Sequence, residues 1–377
     1  MTLTIGILCG GRSGEHEVSL QSAWGIYRAL DRRRFAPVLV AIDPSGVWRA
    51  GSESLLLDAG DPARIHIDRA APPVILLGEA GRAILLERGS MKLVAEIDLF
   101  FPIIHGTDGE DGALQGMLRM LGVPFAGADV LGSAVGMDKA VMKRLLGEAG
   151  LPVARWRAFG TPAAALAAWP DLRRELGLPL FVKPAALGSS VGVSRVTSEP
   201  EFRAAIEEAF RFDRRVLVEE VVRGREIECS VLGNRPPTDH PPRASVPGEV
   251  IPKRGFYSYA AKYLDADGAG LAVPAELDEA TVERVQALAL RVFDALEAEG
   301  MGRVDLFLRS DGALVVNEIN TLPGFTPISM YPKLWEASGL AYPDLLAQLI
   351  ELGLERHRER EKLERRVELT AAPKPRP

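Results

Sequence analysis

The sequence predicts an α/β protein that begins with an open parallel sheet. An apolar run at residues 3–9 leads into the glycine-rich segment 10–14, and a helical pattern follows over 17–30. Strand, glycine loop and helix in this order are typical of the first unit of a doubly wound sheet. Further strand candidates at 35–42 and 97–104 alternate with helical patterns, which favours a parallel sheet with helices on both faces.

The pattern then divides the chain into four units. They are an N-terminal α/β domain over 1–127, a central unit over 128–222, a C-terminal unit over 223–352 and a charged tail over 353–377. The central unit contains a helix near 138–149 and strands at 180–183 and 215–221, and the C-terminal unit has longer strands. The pattern over residues 255–270 predicts a long functional loop. Mixed charges over 355–368 predict a solvated helix without a function.

The composition of the chain argues against some classes of function. The chain has 377 residues, 47% of them hydrophobic and 25% charged, and a net charge of −6. This charge argues against binding of nucleic acid by phosphate neutralisation. Cys9 and Cys229 lie in apolar runs, which predicts core residues of a reduced protein. No stretch is apolar enough to span a bilayer, and no signal peptide is recognisable, so we expect a cytoplasmic protein without a membrane partner.

Two strand-like segments near the C-terminus carry the most informative pattern. Segments 302–309 and 313–320 flank Asp311-Gly312, a favoured two-residue hairpin turn. Such a turn places Asp305 opposite Glu318 and Arg303 opposite Asn320, all on one face. Opposed carboxylates repel each other, so we expect a cation between them, and an all-oxygen set suits Mg²⁺ held together with phosphates. The alternative is a solvated hairpin with an unfavourable charge pair.

A second pattern suggests a phosphate site. Lys183 ends a strand, and the glycine-serine segment 188–192 follows it. Glycines allow a backbone to approach an anion, and amides and hydroxyls donate to it. The segment lacks the closing Gly-Lys-Ser/Thr of a P-loop, and a simple turn is the alternative. Lys139 opens a helix, where an exposed lysine is the default.

The end of the strand at 215–221 is a candidate nucleotide site. An adenine can bind backbone groups beside Glu219 and Val222, and Glu226 is then the candidate for ribose hydroxyls. Acidic residues at a strand exit into solvent are an equally good interpretation.

The loops after the first and third predicted strands hold further candidates. The segment before Glu17 lacks the dinucleotide spacing, although an acid there can face a cationic amine. His105 ends an apolar strand, which is consistent with either a substrate contact or a structural hydrogen bond. The histidines form no recognisable nucleophile pattern or zinc spacing, so covalent catalysis is disfavoured.

Six motifs, taken in order, resemble those of the D-alanine–D-alanine ligase family. They are Gly10-Gly-Arg-Ser-Gly-Glu-His-Glu-Val-Ser-Leu20, His105-Gly-Thr-Asp-Gly-Glu-Asp-Gly112, Met137-Asp-Lys139, Lys183-Pro-Ala-Ala-Leu-Gly-Ser-Ser-Val-Gly192, Phe256-Tyr-Ser-Tyr-Ala-Ala-Lys-Tyr263 and Asn317-Glu-Ile-Asn-Thr-Leu-Pro-Gly324. The resemblance runs from about residue 3 to about residue 350. It implies an ATP-grasp fold preceded by a Rossmann-like domain.

The resemblance also implies a reaction. ATP would phosphorylate the carboxylate of one D-alanine, and the amine of a second D-alanine would displace phosphate from the acyl phosphate, for peptidoglycan precursor synthesis. The implied partners are two D-alanines and ATP, with Mg²⁺ as cofactor, Mn²⁺ as a possible substitute, and a homodimer as the assembly. Positioning and charge neutralisation carry most of such catalysis.

The motifs imply roles for individual residues. Phosphates would be bound by Lys139, Lys183 and Lys262, and two Mg²⁺ ions by Asp305, Glu318 and Asn320. Arg303 would stabilise the phosphoryl group and the developing oxyanion. The first D-alanine would be bound by Glu17, Ser189, Tyr263 and His105, and the carboxylate of the second by amides near Gly324 and by Ser329. The loop 255–270 would be a lid that excludes water.

Several alternatives remain at this point. Another carboxylate ligase, with D-lactate or D-serine as second substrate, would have similar motifs, although Tyr263 favours D-alanine. A non-catalytic nucleotide or amino-acid sensor is a different class, but it would not need Arg303, Asp305 and Glu318 together. The sequence departs from the family pattern at Ser258, Ala260 and Met330. These departures put the dynamics of the lid and the fine substrate preference in doubt.

Overall fold

A computed structural model describes residues 2–79, 81–189, 191–252 and 269–364 of the chain. Helices and strands are mixed throughout these ranges, so the predicted α/β class is confirmed. None of the helices in the described ranges has the length and apolar character needed to cross a membrane. Both cysteines are buried and unpaired, as predicted.

The N-terminal part contains nine strands and two α-helices within the described residues. Its elements are β1 Leu3–Gly10, α1 His16–Ala29, β2 Phe35–Ile42, β3 Trp48–Gly51, the 3-10 turn Glu53–Leu55, β4 Leu56–Leu57, β5 His66–Ile67, β6 Val74–Glu79, β7 Arg82–Glu87, β8 Leu93–Ile97, β9 Leu99–Pro102 and α2 Ala113–Met120.

A mainly parallel sheet in the order β3-β2-β1-β9 organises this part. β1 runs parallel to β2 and β9, and β3 is an antiparallel edge strand, so the predicted open sheet is confirmed. The predicted strand 97–104 is divided, because β8 ends at Ile97 and β9 begins at Leu99. β1 and β9 end at the same edge of the sheet, and the loops that follow them carry Glu15 and His105.

β1 carries buried side chains on both faces because it contributes to two cores. Ile5 and Ile7 belong to a buried cluster that includes residues of α1 and the C-terminal helices. Leu8 belongs to a separate cluster with Phe100 and Leu118. Since successive side chains of a strand point to opposite faces, both faces of the sheet are covered.

An antiparallel sheet, β6-β7-β8, was not predicted from the sequence. Its inner face packs Leu85 into the core, where the residue is fully buried. Its outer face is also apolar, and Leu77 and Leu93 on that face are 45% and 58% exposed. We call this outer face, formed by Ile75, Leu77, Ile84, Leu86 and Leu93, the apolar sheet face.

The remaining elements form the central and C-terminal parts. They are α3 Val130–Met137, α4 Lys139–Glu148, β10 Trp156–Phe159, α5 Pro162–Ala167, α6 Trp169–Leu176, β11 Leu180–Pro184, β12 Ser194–Val196, α7 Glu199–Ala209, β13 Val216–Glu220, β14 Arg225–Gly233, β15 Arg243–Ala244, β16 Gly248–Pro252, β17 Ala269–Ala272, α8 Glu279–Ala295, β18 Gly300–Leu308, β19 Leu314–Asn320, α9 Met330–Ala337 and α10 Tyr342–Glu361.

Two antiparallel sheets form these parts. The smaller has the order β10-β13-β11-β12, and the larger has the order β17-β16-β14-β18-β19, with β15 paired to β14. Ile227 of β14 and Val304 of β18 are buried in one cluster with Val292 of α8. Because side chains alternate along a strand, Glu228 and Arg303 project from the opposite face of the larger sheet. That face borders the cavities described below.

The turn between β18 and β19 differs from the prediction. The Arg309 amide donates to the Ala313 carbonyl at 2.9 Å, and the Gly312 amide donates to the Arg309 carbonyl at 2.9 Å. The loop therefore has three residues instead of two, and the predicted pairing of Ser310 with Ala313 is wrong. Gly312 has a φ of 79°, a conformation that glycine adopts without a steric penalty. This shifts the register of the adjacent pairs by one residue.

A bulge restores the predicted register at the functional end of the hairpin. Leu306 pairs with Val316, whereas Asp305 pairs with Glu318, so Asn317 is the extra residue. As a result Asp305 lies opposite Glu318 and Arg303 lies opposite Asn320, as predicted. The two irregularities compensate for each other.

The C-terminal helix is more buried than predicted. α10 runs without a break from Tyr342 to Glu361, and Glu355 and Arg356 are only 6% and 7% exposed. Arg356 donates hydrogen bonds to the carbonyls of Gly127 and Phe125, so α10 is attached to the N-terminal part. The predicted helix is therefore present as far as Glu361, but its predicted solvation is wrong for Glu355 and Arg356, and residues 365–377 lie outside the described residues. The predicted domain boundaries remain predictions.

Candidate active site

Two adjoining cavities lie between the N-terminal sheet, the smaller antiparallel sheet and the larger one. The first has a volume of about 390 Å³ and the second about 650 Å³. Lys139, Ser189 and Glu318 line both, so these residues mark the junction. Most of the predicted site residues line one cavity or both.

Most of the predicted site residues that lie in the described part of the chain line the first cavity, the second cavity or both. Those at the first cavity are His105, Lys139, Ser189, Arg303, Glu318, Asn320, Gly324 and Ser329. Those at the second cavity are Lys139, Lys183, Ser189, Glu219, Val222, Glu226 and Glu318. Lys262 and Tyr263, and nearly all of the predicted lid, lie outside the described residues.

The position of Glu17 differs from the one expected of a residue that binds the substrate. This residue is exposed in the first turn of α1 and lines neither cavity. Glu15, in the loop just before the helix, lines the first cavity and accepts a hydrogen bond from Ser189. A Cβ atom on Gly106 would lie 2.7 Å from Glu15 Oε2, so the absence of a side chain there makes room for this carboxylate. The acid in this loop that reaches the cavity is therefore Glu15.

His105 combines a cavity position with structural contacts. Its Nδ1 atom lies 3.2 Å from the Leu322 carbonyl and 3.4 Å from Glu110, and its Nε2 atom lies 3.2 Å from Ser22 Oγ. Burial alone would lower the pKa of His105, but the Glu110 and Glu15 carboxylates outweigh it and raise the pKa above the ordinary value. These contacts join the end of β9 to the segment after β19.

Cations hold the carboxylates of the hairpin. Arg303 donates two hydrogen bonds of 2.7 Å to Asp305, and its Nε atom lies 3.0 Å from Glu228. Glu318 lies 3.2 Å from the ammonium of Lys139. Asp305 lines neither cavity, but Arg303, which binds it, lines the first. The acidic face of the hairpin thus has arginine and lysine partners.

The donor chemistry of the hairpin fits a magnesium site that is shared with phosphates. Asp305, Glu318 and Asn320 offer only oxygen atoms to a metal, which hard cations prefer. In the described part of the chain, no group of three or more histidine, cysteine, aspartate or glutamate side chains is arranged to hold a metal on its own. Mg²⁺ is usually bound by one or two carboxylates plus substrate phosphates, so a full protein cage is not required.

The lysines surround the second cavity. Asp138 caps α4 by accepting hydrogen bonds from the amides of Ala140 and Val141, which fixes Lys139 in the first turn. The Lys139 ammonium donates to the Leu187 carbonyl at 2.8 Å. The ammonium of Lys183 lies 2.7 Å from Glu219. Positive charge therefore lies on both sides of the glycine-serine segment.

The other end of the second cavity is apolar and follows the end of β13. Phe181, Phe307 and Val316 line it, together with Val222 and Glu226. Flat apolar surfaces, adjacent backbone groups and nearby acidic side chains suit an adenine and a ribose. The first cavity differs, because Ser329 and Thr326 are paired there at 2.8 Å next to Gly324.

Three residues of this region were not among the site residues predicted from the sequence. Glu15, which lines the first cavity, lies two positions before Glu17, the residue named from the sequence. Glu228 follows Glu226 by two positions on β14 and therefore shares its face, which strand alternation would have indicated. Lys143 follows Lys139 by one helical turn and lies 3.3 Å from Glu219.

Comparison with known proteins identifies the family. The family models described as "D-ala D-ala ligase N-terminus" and "D-ala D-ala ligase C-terminus" match residues 4–128 and 145–351. The chain is 51% identical to the D-alanine–D-alanine ligase of Shouchella clausii over 95% of this chain and 96% of that protein. It is 49% identical to D-alanine–D-alanine ligase A of Escherichia coli K12, over 94% and 96%.

Solved structures agree with this result. The D-alanine–D-alanine ligase of Coxiella burnetii matches with a TM-score of 0.82 and 39% identity over 96% of both chains. The VanG D-Ala:D-Ser ligase of Enterococcus faecalis matches with a TM-score of 0.80 and 33% identity over 94% of this chain and all of the other. The fold is therefore the ATP-grasp fold preceded by a parallel-sheet domain, as the resemblance implied. The chain belongs to the D-alanine–D-alanine ligase family, whose members use ATP and a divalent metal ion.

Proposed function

We propose that this chain joins two D-alanines into D-alanyl-D-alanine at the expense of ATP, for peptidoglycan precursor synthesis. The supporting observation is the junction of the two cavities at Lys139, Ser189 and Glu318. One cavity combines apolar walls with lysines, which suits a nucleotide. The other combines acids, an arginine and a serine, which suits two small zwitterions. The terminal phosphate and a substrate carboxylate would meet where the cavities join.

The second cavity binds ATP in this proposal. Val222 and Glu226 at the strand end receive adenine and ribose, and Glu219 lies beside them. Lys139 and Lys183 neutralise phosphates, together with Lys262 of the lid. Asp305, Glu318 and Asn320 hold two Mg²⁺ ions, for which Mn²⁺ can substitute. The ions supply charge neutralisation at the phosphates.

The first cavity binds both amino acids. Glu15 takes the role that was predicted for Glu17, namely binding the ammonium of the first D-alanine. Ser189 orients that carboxylate through its hydrogen bond, and His105 and Tyr263 complete the subsite. The backbone around Gly324 and the Ser329 hydroxyl receive the carboxylate of the second D-alanine.

Two nucleophilic substitution steps take place where the two cavities join. A carboxylate oxygen of the first D-alanine attacks the γ-phosphorus of ATP, and ADP leaves. The neutral amine of the second D-alanine then attacks the acyl carbon, the bond from carbon to the phosphate oxygen breaks, and inorganic phosphate leaves with the proton that the nitrogen loses. Arg303 stabilises the negative charge that develops in both steps, because its guanidinium stays charged.

The substitution Glu15→Gln is expected to raise the KM for D-alanine by about tenfold to a hundredfold, because an amide cannot pair with the ammonium. Initial rates at saturating ATP would measure this change. Glu17→Gln is the matched control, since Glu17 is exposed on α1, and its kinetics should equal those of the wild type. If Glu17→Gln had the larger effect, the reassignment to Glu15 would be incorrect.

The reaction itself is tested with purified protein, D-alanine, ATP and MgCl₂. Phosphate and D-alanyl-D-alanine should form in equal amounts, measured by a phosphate assay and mass spectrometry. ATP binding without dipeptide would overturn the proposal in favour of a sensor. Competition with D-serine and D-lactate at neutral pH would identify the second substrate, for which we propose D-alanine.

We also propose that the protein forms a homodimer in the cytoplasm through the apolar sheet face. Leu77 and Leu93 on that face are about half exposed, and burying such a patch against a second copy would be favourable. Leu77→Glu should therefore shift the sedimentation coefficient from dimer to monomer. Leu57→Glu, at a 40% exposed leucine outside this face, should leave the dimer intact. A monomeric wild type at micromolar concentration would exclude the dimer.

A further inference from the structure

A buried lysine behind the second cavity has no role in the chemistry described above. Lys143 lies on α4, and its side chain has no exposed surface. Its ammonium lies 3.3 Å from Glu219 Oε1, and the ammonium of Lys183 lies 2.7 Å from Glu219 Oε2. Glu219 thus has a cation on each side. Lys183 lines the second cavity, whereas Lys143 does not.

The charges of this group depend on each other. Burial would raise the pKa of Glu219, but Lys143 and Lys183 outweigh it and hold that pKa below the ordinary value. Burial, with a contribution from the like charge of Lys183, lowers the pKa of Lys143. Lys143 Nζ and Glu219 Oε1 are buried and lie 3.3 Å apart, so the two groups attract each other as an ion pair.

Lys183 would have two anionic partners when a nucleotide is bound. In the structure its ammonium neutralises Glu219, and in the proposed complex it neutralises a phosphate. If the ammonium of Lys183 moved entirely to a phosphate, the buried carboxylate of Glu219 would lose one of its two neighbouring cations. An unpaired buried charge is costly, so such a transfer requires a second counter-ion that stays in place.

We propose that Lys143 is this counter-ion, a positioning residue that keeps Glu219 neutralised when Lys183 turns to the nucleotide. Lys143 is suited to the role because its buried ammonium stays behind Glu219 and does not line the cavity. This inference rests on the proposed placement of ATP in the second cavity. It adds to that function a residue that does not touch the substrate.

The test uses the full-length chain and isothermal titration with the ATP analogue AMP-PNP and MgCl₂. Lys143→Met removes the charge and keeps the length of the side chain. We expect the Kd to rise about thirtyfold, equivalent to about 2 kcal/mol, because Lys183 must then remain with Glu219. The KM for D-alanine should change less than twofold, which separates this effect from a general loss of structure. Arg144→Met, at the adjacent exposed position of α4, is the matched control.

A second pair of variants keeps the test decisive if Lys143→Met folds poorly. Glu219→Gln removes the carboxylate that needs a counter-ion, so adding Lys143→Met to it should change the Kd for AMP-PNP less than threefold. An unchanged Kd for AMP-PNP in Lys143→Met would overturn the inference. An equal loss of affinity when Lys143→Met is introduced into the wild type and into Glu219→Gln would also overturn it. If the wild type bound no AMP-PNP, the proposed function would fail together with it. Tight binding to the wild type with no effect of Lys143→Met would overturn the inference alone.

Discussion

Glu318→Ala is expected to lower kcat by about a thousandfold, the largest effect of any single substitution considered. The carboxylate of Glu318 lines both cavities and lies 3.2 Å from Lys139. Its removal takes away a proposed ligand for magnesium and the carboxylate that pairs with Lys139 at the junction. Steady-state phosphate release at saturating ATP and D-alanine would measure the effect.

The folded state should tolerate this change. Glu318 is 28% exposed in its side chain, so the loss of its pair with Lys139 affects a partly solvated contact of modest energy. The melting temperature should therefore stay close to that of the wild type. Asp311→Ala, at the exposed turn of the same hairpin, should retain full activity. Normal turnover in Glu318→Ala would refute both the magnesium site and the junction as the reaction centre.

The hairpin of β18 and β19 shows which features could be predicted from the sequence and which could not. Strand alternation and charge placed Asp305 opposite Glu318, and this pairing is present. The turn type was wrong by one residue, and a bulge at Asn317 compensates for the error. Nothing in the local sequence signals that bulge, because it depends on how β18 and β19 fit the rest of the sheet. The functional pairing was therefore more predictable than the turn.

Burial was the least predictable property. Glu15 and Glu17 are chemically equivalent in the sequence, and only the position of α1 decides that one faces the cavity and the other faces solvent. The charged end of α10 was expected in solvent, yet Arg356 is buried because it satisfies carbonyls near residue 127. Both outcomes depend on contacts between segments that are distant in sequence. A pattern within one segment contains no information about such contacts.

The second large effect is expected for Arg303→Lys, which should lower kcat by about a hundredfold. The Arg303 guanidinium binds Asp305 through two nitrogen atoms and lies 3.0 Å from Glu228. A lysine keeps the positive charge near both acids, so the fold should persist. It lacks the planar fork, however, and cannot hold Asp305 in two-point contact while stabilising charge on the substrate.

The pattern of kinetic constants separates this role from simple charge balance. Since the lysine preserves the charge near the phosphates, the KM for ATP should change less than threefold while kcat falls. Arg309→Lys, at a half-exposed arginine just after β18, is the matched control and should be indistinguishable from the wild type. If Arg303→Lys raised the KM for ATP but left kcat intact, Arg303 would act in nucleotide binding. Its guanidinium would then belong to the phosphate site, and the stabilisation of the developing oxyanion would have to come from backbone amides near Gly324.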